Sequence, residues 1–322
     1  MALERYTEGY CPAEDGTQLY YALSGPRETQ EVDIVLCDGL ACDGFIWKYL
    51  KSDLSRRHRV LRWHYRGHGR SQIPDNFETL TIPALADDLA RVMDAAGLER
   101  AVVAGHSLGV QVAIEMHRRH PERVAGLGLF LGASEHPVDR FDGRGAFRAS
   151  LPYMKRLFTG FPHLVVEAWS AFFPSSLAFL TAIMTGQVNR SLIRWEDIQP
   201  YFDHLARMDP EVFVHLLTNA ADHSAKNHLP DVDVPTLVIG AELDSFIPVW
   251  LAEAIADAVP DAELMIVPKG SHAALIEQPE LTFLRVEKFL RERLGSYSQP
   301  VRPSGPAKKK SSKKPKTRPA EK

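Results

Sequence analysis

A serine between two glycines, in the segment GHSLG at positions 105–109, has the clearest potential for chemistry in this chain. The apolar run Ala101–Ala104 precedes it with the pattern of a strand, and Leu108–His120 follows with a helical pattern that Pro121 ends. A sharp strand-to-helix turn leaves no room for side chains at its flanks, so glycine is required there. We therefore interpret Ser107 as a nucleophile at a helix N-terminus, where backbone amides favour developing negative charge.

A serine hydroxyl is a weak nucleophile at neutral pH, so it needs a base, and that base needs an acid that orients it. His272 lies after the last predicted strand and before the last predicted helix. A base on that loop can reach the edge of the sheet where Ser107 also lies. His106 is held inside the turn and His68 precedes the serine, so the chain order serine, acid, histidine favours His272 as the base.

The acid of such a set is expected in the loop after the preceding strand, Thr236–Ile239. Asp244 in that loop is the predicted acid, and Glu242 is the nearest alternative. Asp231 and Asp233 come before the strand, at the opposite edge of the sheet, and are therefore not favoured.

Acyl transfer also requires donors that stabilise the oxyanion of the tetrahedral intermediate. One is expected to be the backbone N–H of Leu108, the residue after the nucleophile. The second is expected in the loop Asp38–Gly44, which follows the strand Asp33–Cys37. Gly39 lets the backbone come close, so the N–H of Leu40 is the predicted second donor; the alternative is a glycine-rich turn without a catalytic use.

The rest of the chain has the pattern of a mostly parallel sheet with helices on both faces. Asp15-Gly16 between two strand-like runs predicts a hairpin at the start. Eight strands are predicted, antiparallel at the start and parallel afterwards: Arg5–Pro12, Thr17–Leu23, Asp33–Cys37, Val60–His64, Ala101–Ala104, Gly126–Leu131, Thr236–Ile239 and Glu263–Val267.

Helical patterns lie between these strands. The segment Thr81–Ala96 places its large apolar residues on one face. Thr79 or Thr81 is suited to cap its start, and Gly97 is suited to end it. Two further helices are predicted near the C-terminus: Trp250–Ala258 and Leu281–Leu294.

The alternation of strands and helices stops between positions 133 and 230, where large aromatic and apolar residues are frequent. A segment of this length between two strands of one sheet predicts a helical cap. The core domain that contains the sheet is then expected at 1–132 and 231–296. In the tail at 297–322, Pro, Ser and Lys dominate, so we expect disorder there.

The net charge of −3 is unevenly distributed. The tail carries nine Lys and Arg residues against one Glu, a charge of +8, and the rest of the chain has 29 basic and 40 acidic residues. We expect the tail to act as a solubilising segment, and contact with a polyanion such as nucleic acid or an anionic lipid surface is the alternative.

The chain has three cysteines, at positions 11, 37 and 42, which form neither a disulfide framework nor a metal-ligand spacing. The N-terminus lacks the layout of a secretory signal, and no apolar run has the roughly 20 residues that span a bilayer. A cytoplasmic protein without a transmembrane segment is the prediction. The sequence does not indicate an oligomeric state.

Together these elements resemble the α/β-hydrolase fold family, in the branch that includes esterases, lactonases, perhydrolases, C–C bond hydrolases, and epoxide and haloalkane hydrolases. The resemblance covers residues 5–294. Besides 105–109, it rests on YRGHGRS at 65–71, similar to the family's Arg-Gly-x-Gly-x-Ser turn after the fourth strand. It also rests on GSH at 270–272 followed by EQP at 277–279, similar to the family's His-x-x-x-x-Glu-x-Pro ending.

Two positions differ from the family pattern. Asp38 precedes Gly39 where the family often has His-Gly, and His64 stands where members often carry Asp before the Arg-Gly turn. The backbone donors of the oxyanion hole do not depend on the side chain of residue 38. A carboxylate near a forming oxyanion is unfavourable unless it is paired, so we expect Asp38 to be hydrogen-bonded locally or to Arg66.

The family's epoxide and haloalkane hydrolases use Asp at the position of Ser107, so the resemblance favours acyl chemistry. The predicted function is a serine hydrolase that cleaves a small carboxylic ester with an apolar acyl or aromatic part through an acyl-enzyme. A C–C bond hydrolase, lactonase or perhydrolase with the same residues is the alternative, followed by a non-catalytic binding protein. No cofactor and no metal are expected. The predicted substrate pocket consists of large apolar residues of the cap: Phe147, Met154, Phe158, Trp169, Phe173 and Trp195.

Overall fold

The computed structural model describes residues 6–135 and 146–295, with side chains in the second range from Ala149 onward. Eight strands form one sheet: β1 (Thr7–Pro12), β2 (Gln18–Ser24), β3 (Asp33–Cys37), β4 (Val60–Trp63), β5 (Ala101–His106), β6 (Val124–Phe130), β7 (Thr236–Ala241) and β8 (Ala262–Val267). Their order across the sheet is β1-β2-β4-β3-β5-β6-β7-β8.

The directions of the strands agree with the sequence. β1 and β2 pair antiparallel, as do β2 and β4, and every later pair is parallel. The predicted fold class, an eight-stranded mostly parallel sheet with helices on both faces, is confirmed. β5 is two residues longer than predicted because Gly105 and His106 pair with Leu129 and Phe130 of β6, which brings the strand directly up to Ser107.

The α-helices of the described residues are α1 (Lys48–Leu54), α2 (Ile82–Ala96), α3 (Leu108–Arg119), α4 (Ala146–Gly160), α5 (Pro162–Phe172), α6 (Ser176–Met184), α7 (Trp195–Arg207), α8 (Pro210–Asp222), α9 (Val249–Ala258), α10 (Ala274–Glu277) and α11 (Pro279–Leu294). Helices α2, α3 and α9 pack on one face of the sheet, and α1 and α11 pack on the other. The Thr81 hydroxyl accepts a hydrogen bond from the Ala84 N–H at the start of α2, and Gly97 ends it with a φ of 70°.

Helix α1 was not predicted. Its seven residues bury only Leu50 and Leu54, so the apolar pattern is too short to distinguish a helix from a loop. The helix covers the face of the sheet opposite to α2 and α3, where it packs against α11.

Helices α4–α8 lie between β6 and β7, and we call residues 146–222 the cap. The cap is more exposed than the core: Leu164 and Leu177 are about 60% exposed, and Met184 is 78% exposed. Within the described residues, no single helix is long and apolar enough to cross a membrane. In the part of the chain that the structure describes, α5 and α6 taken together reach that length and composition, and they are bent by 79° relative to each other. The predicted basic tail lies outside the described residues.

Candidate active site

Ser107 lies in a tight turn between β5 and α3, with a φ of 55° and a ψ of −116°. An L-residue seldom adopts this conformation, so the surrounding structure must hold it. A Cβ on Gly105 would lie 2.0 Å from the carbonyl oxygen of Gly109, and a Cβ on Gly109 would lie 2.3 Å from that of Cys37. The two glycines are therefore required, and the turn presents the serine beyond the carboxyl end of β5.

The predicted base and acid meet at this serine. His272 Nε2 lies 3.0 Å from Ser107 Oγ, and His272 Nδ1 lies 2.8 Å from Asp244 Oδ2. The carboxylate cannot donate while it is ionised, so the Nδ1 proton points to Asp244 and Nε2 is free to accept the proton of the serine hydroxyl. The three side chains, distant in sequence, thus form the hydrogen-bonded chain that a nucleophilic serine requires.

The second carboxylate oxygen of Asp244 holds this side chain in its orientation toward His272. Oδ1 accepts hydrogen bonds from the backbone N–H groups of Phe246, at 2.9 Å, and Ile247, at 2.8 Å, and the side chain is fully buried. Both carboxylate oxygens are therefore satisfied without a cation. The alternative acid, Glu242, instead accepts from the Lys269 N–H at 2.7 Å on the surface, so it supports the loop rather than the histidine.

The loop that carries His272 is held by Glu277, the acidic residue of the sequence pattern noted at 277–279. Its carboxylate accepts from the Ser271 N–H at 2.8 Å, the Ser271 hydroxyl at 2.6 Å and the N–H of Asn189, after the cap helix α6, at 2.6 Å. Burial raises the pKa of Glu277. This side chain therefore ties the loop of the base to the cap.

His106, inside the turn, has a structural position. Its Nε2–H donates to the carbonyl oxygen of His272, at 3.1 Å, and its ring is buried. Burial and the nearby His272 ring lower the pKa of His106 to about 3, so it stays neutral at physiological pH. It helps to hold the His272 loop next to the serine.

The two predicted oxyanion donors flank the serine. Leu108 is the first residue of α3, so its N–H has no acceptor within the helix. On the other side, the position of a Cβ on Gly39 would be 3.3 Å from Ser107 Cβ, which shows how closely the loop after β3 approaches the nucleophile. Leu40 follows and lines the same cavity. The Leu108 N–H at the start of α3 and the Leu40 N–H in the loop after β3 thus border the space next to the hydroxyl.

A cavity of about 650 Å³ lies between the core and the cap, directly above Ser107. This volume is typical of sites for small organic molecules. Its wall is mostly apolar, and cap residues form a large part of it, among them Phe173, Val188, Ile198, Tyr201, Phe202 and Phe213. The site is therefore suited to an apolar compound of moderate size.

The family model for the alpha/beta hydrolase fold matches residues 34–279, about three quarters of the chain. The chain belongs to the α/β-hydrolase fold family. The predicted hydrolase is thereby confirmed at the level of the family.

Curated relatives of this α/β hydrolase include proteins named "Putative carbamate hydrolase RutD". The one from Azorhizobium caulinodans is 29% identical over 266 residues, which cover 82% of this chain and 91% of the relative. The one from Yersinia enterocolitica is 25% identical over 264 residues, which cover 81% of this chain and 88% of the relative.

Solved structures share the fold. The enol-lactonase from Burkholderia xenovorans LB400 has a TM-score of 0.71 at 23% identity, and the match covers 88% of this chain and 100% of that one. The esterase RhEst1 from Rhodococcus sp. ECU1013 has a TM-score of 0.70 at 22% identity, with 89% and 99% covered.

The expected pairing of Asp38 with Arg66 is not found. Arg66 is buried and binds Asp88 at 2.7 and 2.8 Å and Asp15 at 2.8 Å, so its guanidinium is already satisfied. Asp38 is 1% exposed, and neither of its carboxylate oxygens has a well-formed hydrogen bond. Burial raises the pKa of Asp38 to about 7, and Arg62 and the Trp47 indole N–H oppose this rise.

His64, the second departure from the family pattern, supports the turn at 65–71. Its Nδ1 accepts from the Arg70 N–H at 2.8 Å, and its carbonyl oxygen accepts from the Ser71 hydroxyl at 2.7 Å. Gly69 leaves space for the ring, because a Cβ there would lie 2.2 Å from Nδ1. Burial lowers the pKa of His64 to about 3, so the ring is a neutral structural element.

Of the predicted pocket residues, Phe173 lines the cavity. Met154, Phe158 and Trp169 instead pack among the helices of the cap, and the Trp169 indole N–H donates to the carbonyl oxygen of Leu205. Trp195 stacks on Phe202 near the surface. The cap has a small apolar core of its own, which accounts for these positions. The side chain of Phe147 lies outside the described residues.

Several residues that line the cavity were not predicted: Cys42, Gln111, Gln187, Tyr201, Phe213 and Phe246. No sequence signal distinguishes them from ordinary helix and loop residues. Within the described part of the chain, no group of three or more His, Cys, Asp or Glu side chains is arranged to hold a metal ion.

Proposed function

We propose that this α/β hydrolase cleaves small carboxylic esters with an apolar acyl or aromatic part, through an acyl-enzyme on Ser107. The proposal is carried by one observation, the continuous chain of contacts from Asp244 through His272 to Ser107 at 2.8 and 3.0 Å. A side-chain set used only for packing has no need for a strained serine at the floor of a cavity.

In the acylation step, Ser107 Oγ attacks the carbonyl carbon of the ester while His272 Nε2 takes its proton. The carbonyl electrons move to oxygen, and the N–H groups of Leu40 and Leu108 stabilise this oxyanion. Asp244 holds the ring and stabilises the imidazolium that forms. When the tetrahedral intermediate collapses, the C–O bond to the alcohol breaks, and the imidazolium gives its proton to the leaving oxygen.

In the second half, water replaces the alcohol. His272 takes a proton from a water molecule, which attacks the acyl carbon, and the same two N–H groups hold the second oxyanion. Collapse of this second intermediate breaks the bond between the acyl carbon and Ser107 Oγ and releases the carboxylic acid, and the His272 imidazolium returns its proton to Ser107 Oγ. Each half of the reaction needs only the three side chains and the backbone donors.

The cavity wall supports the substrate class. Phenyl rings and aliphatic side chains of the cap face the serine, and the few polar groups among them lie mainly at the catalytic end and near Gln187. Binding of an apolar acyl or aryl group removes apolar surface from water, which favours binding by roughly 25 cal/mol per Å². A sugar or a charged substrate would lose hydrogen bonds to water without replacement.

The proposal is tested with nitrophenyl esters of two to eight acyl carbons, together with a fluorophosphonate that labels activated serines. We expect wild-type turnover to rise with acyl length until the cavity is filled, and a single covalent adduct on Ser107. Ser107→Ala should lose both the adduct and ester turnover, with a residual rate roughly 10⁴-fold or more below that of the wild type.

Ser24→Ala is the matched control, since Ser24 is also a buried serine but lies on β2, three strands away from β5 and the turn at Ser107. It should keep both the adduct and the rate. Absence of any adduct and of any turnover in the wild type would refute the enzyme proposal and favour a binding protein that retains the fold.

A second candidate is hydrolysis of a lactone or a carbamate by the same three residues. It is favoured by the curated relatives, which are named as carbamate hydrolases, while the enol-lactonase supports the shared fold alone. Lactones and carbamates added to the substrate panel distinguish this candidate from the ester activity. Diketones test for C–C bond hydrolysis, and hydrogen peroxide added with the ester tests for peracid formation. A cytoplasmic location stays part of the proposal.

A further inference from the structure

The backbone just after the predicted oxyanion donor is held by two histidines. Ala41, which follows Leu40, is fully buried and has a φ of 57°, a conformation that L-residues seldom adopt. Its N–H donates to His68 Nε2 at 3.2 Å, and its carbonyl oxygen accepts from His204 Nδ1 at 2.8 Å. Both polar groups of this strained residue are therefore bound by side chains from outside the loop.

The partners of the two rings fix their tautomers. His204 Nε2 accepts the Gly69 N–H at 2.8 Å, so the ring proton is on Nδ1 and points to Ala41. His68 Nε2 accepts the Ala41 N–H, so its proton is on Nδ1, 3.2 Å from the Arg66 carbonyl oxygen. The two rings are 0% and 5% exposed, and each uses one nitrogen as donor and one as acceptor.

These two rings come from different parts of the molecule. His68 belongs to the core, in the turn after β4, whereas His204 belongs to cap helix α7. The residue between them, Ala41, is one peptide away from the N–H that is proposed to bind the oxyanion. Oxyanion donors are effective only when they are held in place before the reaction, so the peptide planes around Leu40 need such support.

We propose that His204 is a positioning residue through which the docking of the cap sets the geometry of the oxyanion hole. This inference rests on the proposed acyl transfer at Ser107. Loss of the bond from His204 Nδ1 to Ala41 then lowers kcat, because the strained turn relaxes and moves the Leu40 N–H. KM changes little, since His204 does not line the cavity.

Two conservative substitutions of His204 test the hydrogen bonds of its two ring nitrogens separately. In His204→Asn the side-chain amide N–H reaches the position of Nδ1, and in His204→Gln the amide oxygen reaches the position of Nε2. We expect the Asn variant to retain kcat within about threefold and the Gln variant to lose it by roughly 10- to 100-fold, somewhat less than the loss of a direct oxyanion donor.

The opposite pattern is expected at His68, because there the acceptor nitrogen Nε2, and not Nδ1, binds Ala41. We expect His68→Gln to retain kcat and His68→Asn to lose it. This crossed pattern is the readout that a merely structural role would not produce, since a loss of stability has no reason to follow opposite amide lengths at the two sites. His163→Gln, on an exposed histidine of cap helix α5, is the control.

A trifluoromethyl ketone gives the direct measurement, because it forms a tetrahedral adduct whose oxyanion occupies the hole. Its inhibition constant should rise in parallel with the loss of kcat in His204→Gln and His68→Asn, while urea midpoints report stability separately. Equal kcat in the two His204 variants, or a change confined to KM, overturns the inference. Failure of the proposed function would look different, since the wild type would then form no fluorophosphonate adduct.

Discussion

The buried carboxyl of Asp38 leads to a quantitative prediction about stability and pH. Its pKa is raised from an ordinary 3.8 to about 7, mainly by burial. One pKa unit corresponds to about 1.4 kcal/mol, so the folded state loses ~4 kcal/mol of stability, to order of magnitude, between pH 4 and pH 8 through this group alone. The stability is fully present below the pKa of the unfolded chain and is lost as the pH rises through about 7, since only the unfolded state ionises freely.

Asp38→Asn removes this dependence, because the amide has nearly the shape of the protonated carboxyl and cannot ionise. We expect the free energy of unfolding of the variant to exceed that of the wild type by an amount that grows from pH 5 to pH 7 and levels off near pH 8. Urea unfolding of both proteins at four pH values measures it. Asp75→Asn, on the surface, controls for the change in net charge. A difference between Asp38→Asn and the wild type that is constant over this pH range would refute the reasoning and show that the carboxylate is solvated or paired.

Four further predictions concern the site and its supports. Asp244→Asn should lower kcat by roughly 10⁴-fold with little change in KM, because the amide favours the wrong tautomer of the base; steady-state kinetics would show it, and a loss below tenfold would speak against the acid role. Gly109→Ala should destabilise the fold by about 3 kcal/mol or more in urea unfolding, because its Cβ would meet the Cys37 carbonyl oxygen at 2.3 Å; an unchanged midpoint would contradict this. Glu277→Ala should cost roughly 2–4 kcal/mol by the same measurement, since two buried donors and one partly buried donor lose their acceptor, and a cost under 1 kcal/mol would show that water replaces it. Phe173→Ala should raise KM for short acyl esters about three- to tenfold and leave the rate of fluorophosphonate labelling nearly unchanged; equal effects on both would assign the side chain to the catalytic set instead.

The three catalytic candidates could be predicted because their spacing is dictated by the topology of the sheet. Ser107 must follow a strand and precede a helix, and Asp244 and His272 follow the last two strands, β7 and β8, at the same edge of the sheet. Each of the three residues can be recognised from the strand that precedes it in the sequence. The structure brings the three side chains within hydrogen-bond distance.

The lining of the cavity could not be predicted in the same way. Trp169 and Phe173 are four residues apart in the same region of the cap, yet one packs inside the cap and the other faces the serine. Both are large aromatic residues in apolar surroundings, so neither the class of residue nor the helical period separates them. Only the angle at which the cap meets the core decides between them, and that angle depends on contacts between distant segments.

The ion-pair partners of buried charged residues could not be predicted from the sequence either. Arg66 is bound by Asp88, on a helix that the sequence did predict, and by Asp15 in the first hairpin. Nothing in the sequence ranks these carboxylates above Asp38, because the free energy that selects them comes from the burial of the ion pair. The hydrogen bond from His204 to Ala41 joins residues 163 positions apart, and it could not be predicted from the sequence.

The close backbone contacts at Gly105 and Gly109 also decide where this chain can be re-engineered. Atoms of β3, β5 and α3 meet there at distances that no Cβ allows, so a library randomised around the nucleophile would contain mostly clones that fail to fold. The cap side of the cavity is lined by side chains of α5–α8, where a change of side-chain size does not meet the backbone of the sheet. Directed evolution of substrate range should therefore be aimed at the cap, where mutational tolerance and influence on selectivity coincide.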